Sequence, residues 1–374
     1  MEKVVFLVHD LGGGGAEKVL VNLVSHMDRT RYDVTVIALF AGGVNEQFLP
    51  SYVHYYTVFP KMIPGNRIWM KLMSPKQLHR LIVHDHYDIE ISFLEGPAAR
   101  IISGCSDANT KIVSWIHSKQ CSEKKAASSF RSIKEAKRCY KRFDQIVCVS
   151  ETVKEDFLTL FPDVKHISVC YNAIDSDKIL SLKDEAVEEG IFNPNEVNLV
   201  AVGKIVPQKG FDRLARIVKR LRENGIPVHL YVLGTGSEQS NINAYLQDNH
   251  LSDAFTFLGY KINPYKYVAK CDLFVCASFS EGFSTATVEA LIVGTPVCTV
   301  EVSGMKEMLG NKNEYGVITE NNENALYDGI RYILEEEHLK YYKVKAQERG
   351  RLFNAENAVR NVELLLTQLN VSGV

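Results

Sequence analysis

The chain has 374 residues, a formal charge of −2, 46% hydrophobic residues and 24% charged residues. That length exceeds one ordinary core and predicts two globular domains. The near-neutral charge argues against a globally basic nucleic-acid binder, and no apolar run reaches the roughly 18–20 residues of a membrane span. The opening KVVFLVHD passes straight into a glycine loop without a small-residue cleavage pattern, so no secretory leader is expected. Eight cysteines include no Cys-x-x-Cys pair, and several sit in apolar runs such as QIVCVS and TPVCTV. Buried free thiols in a reducing cytoplasm are expected, and no zinc or redox motif.

In chain order, strand candidates cover residues 3–10, 32–40, 53–59, 88–95, 111–117, 145–150 and 167–173, with helical patterns such as GAEKVLVNLVSHMD and ETVKEDFLTLF between many of them. Continuous apolar strands alternating with helices predict a parallel sheet covered on both faces. Residues 176–196 are polar and acidic, end near Asn-Pro-Asn, and read as a linker. The alternation then restarts with VNLVAVGKI, VHLYVLGTG, AFTFLGY, DLFVCAS and TPVCTVEV. The pattern predicts an α/β protein of two doubly wound, Rossmann-like domains, with ligands outside the carboxyl ends of the strands and a cleft between the domains. The expected boundaries are 1–185, 186–355 and a terminal helix over 356–374 that returns to the first domain.

Three segments carry chemistry. In HDLGGGGAEKVL a glycine turn leads into a helix N-terminus and suits a phosphate. It is not the dinucleotide fingerprint, because Gly12 and Gly14 call for a small residue at position 17 and meet Glu17. A tight strand-to-helix turn is an equal reading of that segment. In VGKIVPQKGFDRL, Lys204 and Lys209 precede a helix opened by Gly210 and form a candidate anion site. A cation about 4 Å from a phosphate oxygen contributes on the order of 4 kcal/mol at an effective dielectric of about 20. Two solvated lysines are the alternative.

The third segment, SEGFSTATVEALIVGTP, places Glu281 in a turn and Glu289 within an apolar helical pattern, with seven residues between them. Ser284 or Thr285 is the expected N-cap. Glu289 lies among Val288, Ala290, Leu291, Ile292 and Val293, where an unpaired carboxylate would be costly. It calls for hydroxyl donors, and a ribose supplies two.

Glu281 and Glu289 resemble the E-x7-E motif of retaining family 4 (group 1) glycosyltransferases with the GT-B fold. The resemblance runs through GGAEKVLVNLV, SWIHS, DQIVCVSETVKEDF, CYNAIDSDKI, VGKIVPQKGFDRL, VLGTGSE, FTFLGY, CDLFVCASFSEGFSTATVEA and GVITENN, in order along nearly the whole chain. It implies a nucleotide-sugar donor bound by the C-terminal domain. Lys209 would neutralise the leaving diphosphate, beside Gly203 and Lys204, the latter standing where the family usually has arginine. Glu281 with Gly282, Phe283 and Ser284 would hold donor-sugar hydroxyls, and Thr285, Ala286 and Thr287 would reach the diphosphate. Glu289 would bind the ribose, and Leu258, Gly259 and Tyr260 the base edge. His117 would stand near the reacting centre, and the loop with Gly14 and Gly15 would line the diphosphate and acceptor side. Asn172 is read as structural; Ala173 beside it replaces a more usual glycine.

The implied mechanism is front-face transfer, in which His117, Lys209 and Glu281 carry the catalytic roles and no metal is required. Asp175-Ser176-Asp177 has the spacing of a metal motif but falls in the linker and is read as incidental. Acceptor selectivity would lie in the first domain. Nine Lys/Arg between 119 and 142, and five between 61 and 80 interleaved with Ile68, Trp69, Met70 and Leu72, suit an anionic membrane leaflet, with an ordinary solvated charged helix as the alternative for 119–142 alone. The expected enzyme is cytoplasmic, peripheral on the inner membrane face, and transfers from a UDP-sugar to a glycan or polyprenyl-diphosphate-linked acceptor in bacterial capsule, O-antigen or lipopolysaccharide synthesis. The alternatives are a non-catalytic sugar-nucleotide binder on the same fold and a nicotinamide-dependent dehydrogenase.

Overall fold

The structure, a computed structural model, describes residues 1–62 and 65–371. Ile63 and Pro64, within the basic stretch 61–80, and residues 372–374 of the expected terminal helix lie outside the described residues. The chain divides into two compact units: Met1–Ile174 together with the chain from Ala355 onward, and Asp175–Asn354.

The first unit holds a parallel sheet of β1 (Glu2–Val8), β2 (Tyr32–Phe40), β3 (His54–Phe59), β4 (Ile89–Ser92), β5 (Lys111–Ile116), β6 (Gln145–Cys148) and β7 (Ile167–Val169). These are the seven expected strands, most of them shortened at the carboxyl end, with β2 at its expected bounds. The spatial order is β3-β2-β1-β4-β5-β6-β7, so the winding reverses between β1 and β4. The inner strands are apolar on both faces, with Val4 to Val8 fully buried, because helices cover both sides. The helix Ala355–Val371 packs on the helix Gly15–His26. Glu363 accepts from the Asp28 amide at 2.7 Å, and Arg31 donates to Thr367 Oγ1 at 2.7 Å.

The second unit holds β8 (Val197–Val202), β9 (Val228–Leu233), β10 (Phe255–Gly259), β11 (Leu273–Cys276), β12 (Val297–Val300) and β13 (Val317–Thr319) in the order β10-β9-β8-β11-β12-β13, again all parallel. Here the winding reverses between β8 and β11. β13 is absent from the sequence expectation, since three residues at a sheet edge carry no usable periodicity.

The linker reading of 176–196 needs correction at its start. Ser176–Leu182 is a helix, capped by the Asp175 carboxylate, which accepts from the Lys178 amide at 3.0 Å. Ile179 is buried, and this helix packs on the helices Thr285–Val293 and Tyr265–Val268 of the second unit. The division therefore falls at Ile174/Asp175, ahead of the expected 185/186. The first acidic residue of Asp175-Ser176-Asp177 has a capping role.

One buried ion pair organises a face of the first unit. Arg100, 1% exposed, donates to both Glu135 oxygens at 3.0 and 3.1 Å. It also donates to the carbonyls of Met70 (2.6 Å) and Met73 (2.8 Å), while Arg131 donates to those of Lys71 (2.6 Å) and Leu72 (2.5 Å). Two guanidinium groups thus satisfy four successive carbonyls at the C-terminal end of the helix Asn66–Leu72, where the helix dipole favours positive charge.

Desolvation alone would raise the Glu135 pKa, but the Arg100 guanidinium and the Arg131 amide outweigh it and hold the group below its ordinary value. The pair's contribution is therefore complete above the ordinary carboxylate pKa and fades as pH falls through the lowered one. Glu135→Gln leaves Arg100 buried and unpaired. The expected loss in first-unit stability by denaturant unfolding at pH 7 is about 3–5 kcal/mol, and the gap to wild type should narrow below about pH 4.

Candidate functional site

The residues singled out from sequence lie at or beyond the carboxyl ends of strands or in the helices that follow, several of them at the reversal points, as doubly wound sheets favour. In the second unit these are the loops after β8 and β11. The β8 loop passes Gly203 and Lys204, forms a single 3-10 turn at Pro207–Lys209, and enters the helix Phe211–Glu223 at Gly210. Gly210 has φ +66°, and a Cβ there would stand 2.2 Å from the Ala277 carbonyl oxygen, so glycine alone permits this loop to touch the β11 loop. Gly234, after β9, is similarly pressed on the Gly203 carbonyl, where a Cβ would lie 1.9 Å from the oxygen.

Side chains complete the junction. The Phe279 amide donates to the Gln208 carbonyl at 2.8 Å, and the Gln208 side chain donates to the Ser280 carbonyl at 2.9 Å. Arg213, 2% exposed, donates Nε to the Ala277 carbonyl at 2.9 Å and Nη1 to Asn321 Oδ1 at 3.0 Å, with its guanidinium 4.2 Å from the Phe279 ring centroid. Sequence reasoning passed over Gln208, Arg213 and Asn321. The signal for Arg213 was its position on the apolar face of FDRLARIVKRL.

At the centre, Lys209 Nζ lies 2.6 Å from Glu281 Oε1, and Ser278 Oγ donates to the same oxygen at 2.5 Å. The Lys209 side chain is 29% exposed and that of Glu281 10%, so the pair is largely withdrawn from water yet still reachable. Burial pulls the Lys209 pKa down, but the Glu281 carboxylate more than offsets this and the net shift is upward. The ammonium is therefore a fixed positive charge at neutral pH. Beneath it, burial raises the Cys276 thiol, which rules it out as a ready thiolate. Lys204 is exposed, with no ion-pair partner among the described residues.

The helix Thr285–Val293 follows. Of the two expected caps the structure selects Ser284, whose hydroxyl accepts from the Thr287 amide at 3.3 Å and stands 3.0 Å from the Thr287 hydroxyl. The amides of Thr285 and Ala286 open the helix, a donor set suited to an anion. Gly282, Phe283 and Ser284 are buried, and Glu289, the fifth residue of this helix, lies about one turn in with 8% exposure. Leu258 and Gly259 end β10 and Tyr260 follows it, and a register shift against β9 falls between Phe257 and Gly259. Gly259 has φ +74°, its carbonyl accepts from the Gly234 amide at 2.9 Å, and Tyr260 is 48% exposed.

In the first unit, His117 follows β5. Its amide donates to Glu95 Oε2 at 2.8 Å, and Ser118 Oγ donates to the other Glu95 oxygen. The ring packs on Phe93 with centroids 4.8 Å apart, and Nε2 is buried without a partner among the described residues. Burial holds the imidazole pKa down to about 3, against a smaller opposing effect of a backbone hydrogen bond at Phe93, so the ring is neutral at pH 7. Gly14 is the N-cap of the helix starting at Gly15. Two carboxylates stand at this loop: Asp10 accepts from the Gly12 amide at 2.7 Å, and a Cβ on Gly14 would meet Glu17 Oε2 at 2.1 Å. Asn172 Oδ1 is buried without a hydrogen bond among the described residues, and Asn22 donates to the Ala173 carbonyl at 3.1 Å.

A cavity of about 100 Å³ lies beside this loop, lined by His9, Asn66, Met70, Pro97, Arg100 and Ser129. A larger one in the second unit, about 430 Å³, is lined by residues including Ile226, Asp328 and Arg331, none of them a sequence-predicted site residue.

Comparison with known proteins shows the family and the fold. The family described as Glycosyltransferase Family 4 matches residues 13–178, and Glycosyl transferases group 1 matches residues 183–351. One relative is the N-acetylgalactosamine-N,N'-diacetylbacillosaminyl-diphospho-undecaprenol 4-alpha-N-acetylgalactosaminyltransferase of Campylobacter jejuni, 27% identical, covering 96% of this chain and 98% of its own. An uncharacterized glycosyltransferase of Haemophilus influenzae is 20% identical over 97% of this chain and 98% of its own. Among solved structures, Anabaena HepE in complex with UDP and glucose superposes with a TM-score of 0.79 at 19% identity, covering 98% of this chain and all of that one. Sucrose-phosphate synthase of Thermosynechococcus elongatus gives a TM-score of 0.77 at 17% identity, covering all of both chains. The chain is therefore a glycosyltransferase, belonging to the group 1 (family 4) glycosyltransferases with the two-domain α/β GT-B fold.

Proposed function

We propose that this enzyme transfers a sugar, with retention of configuration, from a UDP-sugar to a lipid-linked glycan acceptor in bacterial cell-surface polysaccharide synthesis. The observation that carries the donor side is the Lys209–Glu281 pair, held at the β8/β11 reversal beside the N-terminus of the helix Thr285–Val293. Lys209 neutralises the leaving diphosphate, with Lys204, Gly203 and the amides of Thr285, Ala286 and Thr287 contributing. Glu281, with Gly282, Phe283 and Ser284, orders the sugar hydroxyls. Glu289 takes the ribose, and Leu258, Gly259 and Tyr260 take the base. HepE with bound UDP supports uridine as the first choice of base.

The acceptor oxygen attacks the anomeric carbon from the face on which the diphosphate leaves. The glycosidic C–O bond breaks with its electron pair going to the phosphate, and a phosphate oxygen takes the acceptor's proton. The protein positions the partners and stabilises the departing charge without a nucleophile or metal of its own. His117, neutral and with Nε2 unsatisfied, serves the reacting sugar as a hydrogen-bonding group. The first-unit loop with Gly14 and Gly15, together with the cavity lined by His9, Asn66 and Ser129, receives the acceptor.

The Campylobacter relative, named for a diphospho-undecaprenol acceptor, supports a lipid-linked substrate. No helix among the described residues is long and apolar enough to cross a membrane. A surface in the first unit suits peripheral binding instead. The helix Asn66–Leu72 exposes Ile68 (70%) and Leu72 (76%), and its end is bolted to the basic helix Ile133–Tyr140 through Arg131 and Arg100. Arg131 and Arg142 spend their guanidinium groups on carbonyls, whereas Lys124, Lys134 and Lys141 are exposed. Apolar groups ringed by lysines fit an anionic leaflet.

Donor binding is tested by thermal shift with UDP-, GDP- and ADP-sugars. Ligand at about 100 times its dissociation constant adds about 2.7 kcal/mol, and UDP-sugars should give the largest shift. No shift with any of them sinks the donor assignment. Lys209→Ala should lower kcat/KM by roughly 10²–10³-fold, the scale of losing one preorganised charge-stabilising group, with the ligand-free variant still folded but less stable because Glu281 loses its cation.

Membrane binding is tested by sedimentation with vesicles of phosphatidylcholine alone or mixed with phosphatidylglycerol. Only the anionic vesicles should retain the protein. Replacing Lys124 and Lys134 with alanine should weaken that binding by about 2 kcal/mol, roughly thirtyfold. Equal retention on neutral vesicles would contradict the electrostatic reading.

A further inference from the structure

Away from the donor residues, the first unit brings three chemically different ligand groups together. His79 lies on the helix Pro75–Ile82, Glu90 on β4, and Cys105 in the turn after the helix Pro97–Ile102. One donor atom from each lies within 4.8 Å of the others. We propose that His79, Glu90 and Cys105 form a zinc(II) site.

Glu90 carries the first part of the argument. It is the second residue of a strand flanked by β1 and β5, and it is 2% exposed. A carboxylate inside a parallel sheet is expensive unless a cation or metal compensates it. His79 supplies one polar partner, with Nε2 2.7 Å from Glu90 Oε2. A simple ion pair would be complete at that point. The third corner is instead a thiol at 3% exposure.

The second part is that the corner is built. Gly104 packs so tightly on the start of the His79 helix that a Cβ would lie 2.1 Å from the Pro75 carbonyl oxygen. Arg142 holds the turn from the other side, donating to the carbonyls of Ser103 and Cys105, the latter at 2.6 Å. The His79 helix is itself fixed by a capping box between Ser74 and Gln77. Each donor thus sits on a braced element, the condition for a preorganised metal site.

The donor set selects the ion. Thiolate and imidazole disfavour magnesium and calcium, while one sulfur, one nitrogen and one carboxylate oxygen suit tetrahedral zinc with water in the fourth position. The His79 side chain keeps 13% exposure, which leaves a route for that water. The ion would tie β4 to two helical segments at the amino-terminal half of the strand, away from His117 at the carboxyl end of β5. It is a structural clip, separate from the transfer reaction and independent of the donor and acceptor reading above.

The test is titration of the full-length, reduced, metal-stripped protein with cobalt(II), followed by absorption, with intact mass of the purified protein under native conditions. Wild type should bind about one equivalent with a sulfur-to-cobalt charge-transfer band in the near ultraviolet, displaced by zinc. Cys105→Ser should abolish the band. Cys121→Ser, which removes the exposed thiol, should keep it. His79→Gln provides a second removal that leaves every cysteine in place, and it should also lose the band. Absence of a band in folded wild type, its survival in Cys105→Ser, or its loss in Cys121→Ser would overturn the proposal.

Discussion

The second unit depends on a close backbone approach between two loops that leave its sheet in opposite winding directions. Because the order reverses between β8 and β11, nothing crosses above their carboxyl ends, and the loops that follow are free to meet. They meet at van der Waals limits. Gly210 presses on the Ala277 carbonyl, Arg213 caps the same carbonyl, and Gln208 joins the strands of the two loops by main chain and side chain. Only with that junction closed do Lys209 and Glu281, 72 positions apart, stand 2.6 Å from each other. The ion pair is a consequence of the packing, and it leaves both charges oriented before a ligand arrives.

Preorganisation of this kind is what the proposed transfer asks of the site. A departing diphosphate needs fixed positive charge and amide donors, and a site that already holds them avoids reorganising when charge develops. Glu281 adds a second function by holding Lys209 protonated against the burial that would otherwise favour its neutral form. In the first unit the same logic appears with opposite sign. His117 is kept neutral by burial, and at the glycine loop Asp10 lies 2.6 Å from His9 Nδ1 and accepts from the Gly12 amide.

Much of the fold was legible because buried parallel strands are written as largely apolar runs, as in β1 and β2 of the first sheet, while the edge strand β3 showed itself by its β-branched and aromatic residues although none of it is buried. The losses have specific causes. Val317–Thr319 is too short to show a period, and Ser176–Leu182 was hidden in a polar stretch whose helical signal was a cap, Asp175, and one buried side chain, Ile179. The glutamate pair and the lysine loop were visible as motifs. The residues that hold them were not: Arg213 reads as one more basic residue in a charged helix, and Gln208 as a surface polar group. Contacts across 64 or 72 positions leave no local pattern. His79, Glu90 and Cys105 were missed for the same reason, although a glutamate within DIEISF was itself a sign that something must neutralise it.

The central claim is that Glu281 reads the sugar while Lys209 and Glu289 read the nucleotide. The most direct measurement is calorimetric titration of UDP and of a UDP-sugar into wild type and Glu281→Ala. The account predicts that UDP binding survives the substitution while the additional affinity due to the sugar disappears. Equal loss of both ligands, or retention of the sugar's contribution, would contradict it.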